Sequence, residues 1–296
     1  MSELLDDEDH DHDRGLAFDL TTLLDRRRAM KLFAGAALVS LAACGQDDKT
    51  AAGATSSTST SGATSTSAAG TPSTGASSPS SSAPAGEAAC QTIPEETAGP
   101  FPGDGSNGPD MLSKSGIVRR DITSSFGSST TKAGGVPLTV TLVIVDQATG
   151  CQPMAGAAVY LWHCDREGRY SLYSPGATGE NYLRGVQAAD AGGRLTFTTI
   201  FPAAYPGRWP HIHFEVYPNL AKATAHANQL ATSQLALPEV SCRAVYATAG
   251  YGSSLQNLDQ TPLNRDMVFA DGSSQQLPAM AGSVGSGYTA ELSVPV

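Results

Sequence analysis

Between Tyr205 and His213 the chain reads Tyr205-Pro-Gly-Arg208-Trp209-Pro-His211-Ile-His213, a phenol, a guanidinium and two imidazoles within nine residues. The histidines stand at i and i+2 inside an apolar run. Successive strand side chains point to opposite faces, so both would emerge on one face, close enough to share a metal. A phenolate donor six residues upstream of the pair favours a hard, oxidised metal, ferric iron ahead of zinc. Redox or oxygen chemistry is the expectation. Taken alone, an H-x-H pair equally fits two half-buried polar histidines in a sheet. Apart from His10 and His12 in an acidic leader, only His163, His211, His213 and His226 remain. A metal site must therefore use His211 and His213 or be much weaker.

The elements around this stretch read as β. Leu138 to Val145, Ala157 to Trp162, Arg194 to Ile200, His211 to Tyr217 and Tyr288 to Val294 are rich in β-branched and aromatic residues and follow period-2 logic. Gly and Pro clusters punctuate them. The expected fold class is mainly β, an antiparallel β-sandwich core with long loops and little helix. The one helical stretch the pattern offers, Leu220 to Leu235, is weak.

Residues 1–43 read as a targeting segment. Asp25-Arg-Arg-Arg28-Ala-Met-Lys31 resembles a twin-arginine export motif, and an ordinary Sec n-region is the alternative. The apolar run Leu32 to Ala43 is short for a bilayer span. It ends at Leu41-Ala-Ala-Cys44, which looks like a bacterial lipobox and implies cleavage before Cys44 and lipidation of its thiol. Residues 44–88 form a tether in which all 36 residues from Ala51 to Gly86 are Ala, Gly, Ser, Thr or Pro. Such a segment cannot offset its own ordering entropy and reaches on the order of 30–35 Å. One globular domain, 89–296, remains. The expected localisation is extracytoplasmic, lipid-anchored at the cell envelope, with release left open. Oligomeric state is not legible.

Net charge is −10, and nine acids with five bases lie in the first 43 residues, leaving −6 for the rest. A mildly acidic chain gives no electrostatic case for nucleic acid. Cys90, Cys151, Cys164 and Cys242 are an even set in an oxidising compartment, which suggests two disulfides in any of three connectivities. A four-thiolate metal site lacks its usual close cysteine pairs.

From Val159 to Val216 the chain resembles the intradiol ring-cleavage dioxygenases, the family of catechol 1,2- and protocatechuate 3,4-dioxygenase, and above all their secreted relatives. The matching text is Trp162 to Ser171, Asn181 to Gln187, Asp190 to Ile200 and Tyr205 to His213. Weaker agreement lies at Pro94 to Phe101, Arg120 to Ile122, Thr232 to Gln234 and Asp266 to Phe269. The resemblance implies one Fe(III) per domain held by Tyr170, Tyr205, His211 and His213, with Tyr173 or Tyr182 as substitutes for Tyr170 under a shifted alignment. It implies a small aromatic diol and O2 as substrates, opened to a muconate-type diacid that carries both oxygen atoms. Tyr205 is the implied ligand that leaves as the diol binds. Arg208 is the implied stabiliser of charge on the activated ring, and Gln234 an implied partner behind the ligands.

Departures from the family pattern leave substrate choice open. Trp209 stands where smaller residues are usual, either roofing the pocket or packing on the sheet. Phe-Pro-Ala-Ala-Tyr205 replaces a commoner Pro-Gly form, and Gly99-Pro100-Phe101 is a candidate pocket wall, with ordinary packing as the equal alternative. No cation can be assigned to a substrate carboxylate. His163 is expected to orient locally or lie on the surface, and His226 to serve a lid or nothing. The competing function is an extracytoplasmic catechol, siderophore or carbohydrate binder without turnover.

Overall fold

In a computed structural model, residues 90–296 are described. The targeting segment, Cys44 and the tether lie outside the described residues. The longest strand, β1 (Pro137–Asp146), alternates buried Leu138, Val140, Leu142 and Ile144 with more exposed neighbours. It is followed by β2 (Gln152–Pro153), β3 (Ala158–Trp162), β4 (Arg184–Ala188), β5 (Arg194–Ile200), β6 (His211–Tyr217), β7 (Ala231–Ala236), β8 (Ala279–Ser283) and β9 (Gly287–Pro295). Two short helices, α1 (Glu239–Tyr246) and α2 (Ser254–Gln260), lie between β7 and β8.

The strands form two sheets. One runs β2-β1-β9-β8 with β5 also on β1, and the other runs β4-β3-β6-β7. Their inner faces share one apolar core. Leu138, Val140 and Leu142 of β1, Phe197 of β5 and Leu292 of β9 meet Val159 and Leu161 of β3 and Ile212, Phe214 and Val216 of β6. Pairing is antiparallel except between β1 and β9, which run parallel from Leu138↔Tyr288 to Val145↔Pro295. The expected antiparallel sandwich core is present, with this one parallel pair at the centre of the first sheet. Parallel neighbours need a long connection rather than a hairpin, and the whole second sheet lies in the chain between these two strands.

Further departures concern the region after β6. The weak helix expected over Leu220 to Leu235 is absent, replaced by a 3-10 turn at His226–Asn228 and then β7. Antiparallel pairing with β6 from His211↔Ala236 to Val216↔Ala231 outweighs the local preference. The cysteines form one disulfide rather than two. Cys90 and Cys151 are joined, whereas Cys164 and Cys242 are free and buried. The free pair sits in different apolar clusters, each thiol directed at a backbone carbonyl, of Ala203 and Leu237 respectively. Among the described residues no helix is long and apolar enough to cross a membrane.

The outer face of the second sheet is not solvent. A separate cluster covers it, in which Ala158, Tyr160 and Trp162 of β3 pack with Met111, Leu112, Ile117 and Tyr170, and Phe101, Leu172 and Tyr205 lie against them. The buried guanidinium of Arg184 ties this cover down. It donates to the carbonyls of Phe101, Pro102 and Ser171, to the Ser171 hydroxyl and to the Tyr160 hydroxyl. All these acceptors lie in loops or on β3, so one side chain from β4 fixes two loops at once.

Candidate metal centre

Strand β6 alternates as its pattern requires. Ile212, Phe214 and Val216 enter the inter-sheet core, which sends His211, His213, Glu215 and Tyr217 to the covered face. Tyr170, from the loop after β3, and Tyr205, from the loop after β5, approach this face. The His211 Nε2 lies 3.1 Å from His213 Nε2, 3.2 Å from the Tyr205 hydroxyl and 3.4 Å from the Tyr170 hydroxyl. The two phenols stand 3.4 Å apart. Donors about 2 Å from a shared metal stand roughly 3 Å from one another, so these separations suit one ion.

The local chemistry fits a cation as well. His211 places Nδ1 2.5 Å from the Trp209 carbonyl, which can only accept. The ring must therefore carry its proton on Nδ1, leaving the Nε2 lone pair facing the other three donors. Burial first, and then the charge of Arg208, hold His211 in its neutral form, and burial with His211 and Arg208 does the same for His213. Neutral imidazole is the form that binds metal. Burial followed by the neighbouring Tyr205 pushes the Tyr170 phenol well above its ordinary pKa. A phenol in this place ionises only if a strong positive charge arrives, which a hard metal ion supplies.

Register builds the surroundings. Strand pairing sets Trp162 and Gln234 on either side of His213. The indole of Trp162 stacks on the His213 imidazole, centroids 4.9 Å apart and planes 5° from parallel. Gln234 donates to the Thr97 carbonyl and accepts from Arg208 at 2.6 Å. Arg208 also meets Asp266 at 3.0 Å, and both side chains are almost fully buried. Asp266 accepts in addition from the backbone N–H groups of Trp209, Val268 and Phe269. Burial works against the Arg208 charge, but Tyr205, Asp266 and Tyr170 outweigh it, and its pKa is raised.

On the other side, Phe101 packs against Tyr170 with centroids 5.1 Å apart. Gly99 has φ +70°, and a Cβ there would lie 3.4 Å from the His213 ring. A side chain there would pay for left-handed backbone while its Cβ rested against that imidazole. Of the four donor residues, Tyr170, His211 and His213 are buried and Tyr205 is half-buried. A cavity of about 520 Å³ lies against Tyr205, walled by Arg166, Glu167, Gly250, Tyr251 and Ser253 among others.

All six residues singled out from the sequence meet here: Tyr170, Tyr205, His211 and His213 as mutual neighbours, Arg208 and Gln234 as a bonded pair behind them. Tyr173 and Tyr182 do not join. The Tyr173 hydroxyl serves the Gly103 N–H and the Asn107 carbonyl, and that of Tyr182 donates to Asp165. Trp209 does not roof the cavity but belongs to the inter-sheet core, its indole N–H donating to the Leu237 carbonyl. His163 is buried, bonded to the Thr199 hydroxyl and the Cys164 carbonyl. Arg184, Asp266 and Trp162 received no role from the sequence.

The two-sheet β-fold thus carries a buried phenol and imidazole cluster, spaced to hold one metal ion, at the covered face of one sheet. Residues 107–226 match the family model described as Dioxygenase. The intradiol ring-cleavage dioxygenase from Tetranychus urticae is 25% identical, aligned over 70% of this chain and 94% of its own, with a TM-score of 0.54. The dioxygenase domain of a dioxygenase and carbohydrate-binding protein fusion from the cellulolytic bacterium Streptomyces sp. SirexAA-E is 22% identical, over 70% and 98%, with a TM-score of 0.42. The chain is thus similar to the Dioxygenase family over residues 107–226, and in fold to an intradiol ring-cleavage dioxygenase. A binding sandwich without turnover is not favoured.

Proposed function

We propose that the protein is a ferric, non-haem dioxygenase that inserts both atoms of O2 between the hydroxyl-bearing carbons of a catechol-type diol, releasing a muconate-type diacid. The observation that carries this reading is the meeting of two phenols and two imidazoles around His211 Nε2 at 3.1 to 3.4 Å. Tyr170, Tyr205, His211 and His213 would hold ferric iron, which when bound would supply Lewis acidity toward the diol and make its ring receptive to O2.

The remaining work falls to this chain's residues. His211, locked by the Trp209 carbonyl, and His213, clamped by the Trp162 stack, act as fixed neutral donors. Tyr205, the half-buried donor, gives way as the diol arrives and takes up one of its protons. Arg208 stays charged and positioned by Asp266 and Gln234, a preformed positive group beside the phenols where anionic charge gathers. Phe101 supplies an apolar wall.

We also propose that the domain works outside the cytoplasm, held through lipidated Cys44 and its tether. Support comes from the lipobox and arginine run, and from the Cys90–Cys151 disulfide, a bond of oxidising compartments. Labelled palmitate should enter the wild-type protein and not Cys44→Ala, and equal labelling of both would remove the anchor.

The functional test is direct. The purified protein should hold about one iron, show the visible absorption of tyrosinate bound to ferric iron, and consume O2 with catechol. A colourless, iron-free protein that reconstitution leaves inactive would sink the reading.

A further inference from the structure

One step along β6 from His213, on the same covered face, Glu215 meets two residues from other segments. Asp104 comes from the loop that follows Phe101, and His226 from the 3-10 turn between β6 and β7. Asp104 Oδ2 lies 2.7 Å and Glu215 Oε1 3.4 Å from His226 Nδ1, and the three atoms all lie within 4.8 Å of one another. Both carboxylate side chains have no exposed surface, whereas His226 is about one-third exposed.

The outward oxygens are already occupied. Asp104 Oδ1 accepts from the Ser106 N–H and hydroxyl, and Glu215 Oε2 accepts from the Tyr217 hydroxyl at 2.6 Å. The inward atoms face only one another: Asp104 Oδ2, Glu215 Oε1 and His226 Nδ1 are buried with no partner outside the trio, and a protonated His226 would offset only one of the two carboxylate charges. Two buried carboxylates facing each other beside one imidazole are costly without a compensating charge.

We propose that Asp104, Glu215 and His226 form a second, structural divalent-cation site, with zinc as the preferred ion. Two carboxylate oxygens and one imidazole nitrogen are a borderline-hard set, and a dication cancels the two negative charges. The separations of 2.7 and 3.4 Å resemble those at the phenol and imidazole cluster, the spacing of donors around one ion. Ser106 and Tyr217 orient the carboxylates from behind. The exposed edge of His226 gives the ion an entry path and leaves a position for water. Bound there, the ion would join β6, the 226 turn and the loop leading back to Phe101. It is distinct from the proposed iron site and does not rest on it.

The test uses the full-length protein, iron-loaded, dialysed against zinc sulfate and then metal-free buffer. Elemental analysis should find about one zinc per chain beyond the iron, with the visible colour unchanged. Asp104→Asn and His226→Ala should retain the colour and lose the zinc, binding it at least about tenfold more weakly. Zinc should raise the thermal midpoint of the wild type and not of these variants. His213→Ala, lacking iron, should still take up one zinc, which separates this site from the other. The proposal is overturned if the wild type retains no second ion, in which case the carboxyls share a proton beside His226. It is equally overturned if zinc binds as well in both variants.

Discussion

The two sheets bury their strands differently. In the first, β1 and β9 alternate buried and exposed positions along their length, one face on the core and one in water. In the second, every residue of β3, β6 and β7 is buried. Both sheets present an apolar face to the shared core, so the difference lies wholly on the outer side. There the first sheet carries ordinary surface, such as Arg194 paired with Glu291. The second carries histidines, a glutamine and a glutamate under a lid of loops. Chemistry in this molecule occupies the sheet face that water was made to leave.

If the contrast holds, the largest effect should come from His213→Ala, on the dry face. Iron content and visible colour should vanish together with turnover, while circular dichroism stays native. Retained colour would mean that the ligand set is drawn wrongly. Arg208→Ala should cost about 3–5 kcal/mol in denaturant unfolding, because Asp266 is left buried without its partner. It should also abolish turnover. Arg208→Lys, which keeps the charge, should recover most of the stability but little of the rate, as the lysine cannot reach Asp266 and Gln234 in the same fork.

Cys151→Ser tests the other side, where the disulfide ties Cys90 to the turn between β1 and β2. Closing a loop of sequence separation 61 contributes about 4 kcal/mol in the chain-entropy picture, a loss that should appear in unfolding while colour persists.

His163, between the end of β3 and Thr199 of β5, should make stability fall with acid. Burial lowers its pKa to about 4. Between that value and the unfolded value of about 6.5 the unfolded chain binds the extra proton, so stability present above about pH 6.5 is lost as pH falls toward 4. The limit is about 3 kcal/mol, and His163→Asn should flatten the slope of thermal midpoint against pH over that interval. Arg194→Ala, on the wet face, should leave both midpoint and activity unchanged. A clear loss there would erase the distinction between the sheets.

The same contrast governs how much could be read from the sequence. β1 and β9 announced themselves because a face in water must be polar at every second residue. β6 was legible for a related reason, its polar positions alternating with Ile212, Phe214 and Val216, although the polar ones turned out buried. β7 was not legible. Ala231-Thr-Ser-Gln-Leu-Ala236 has little apolar contrast, and its strand state comes from pairing with β6. β8 has no deeply buried residue to betray it. The helix α1 follows Pro238, a boundary signal that its mixed composition obscured. At the site, His211 and His213 came from spacing, Tyr170 and Arg208 only from resemblance. The clamps set by Trp162, Arg184 and Asp266 depend on contacts between distant segments, which no local pattern records.

The parallel contact of β9 with β1 has a consequence for synthesis. Leu138 and Tyr288 are neighbours in the sheet but about 150 residues apart in the chain. β1 has its antiparallel partner β5 early, yet its other edge stays unsatisfied until β9 has left the ribosome. Contacts of that range slow folding and expose an unpaired strand edge meanwhile. Closure of the first sheet therefore waits on the synthesis of β9. A ribosome stalled before residue 288 would hold a chain open to chaperones and proteases, with the first sheet lacking its middle.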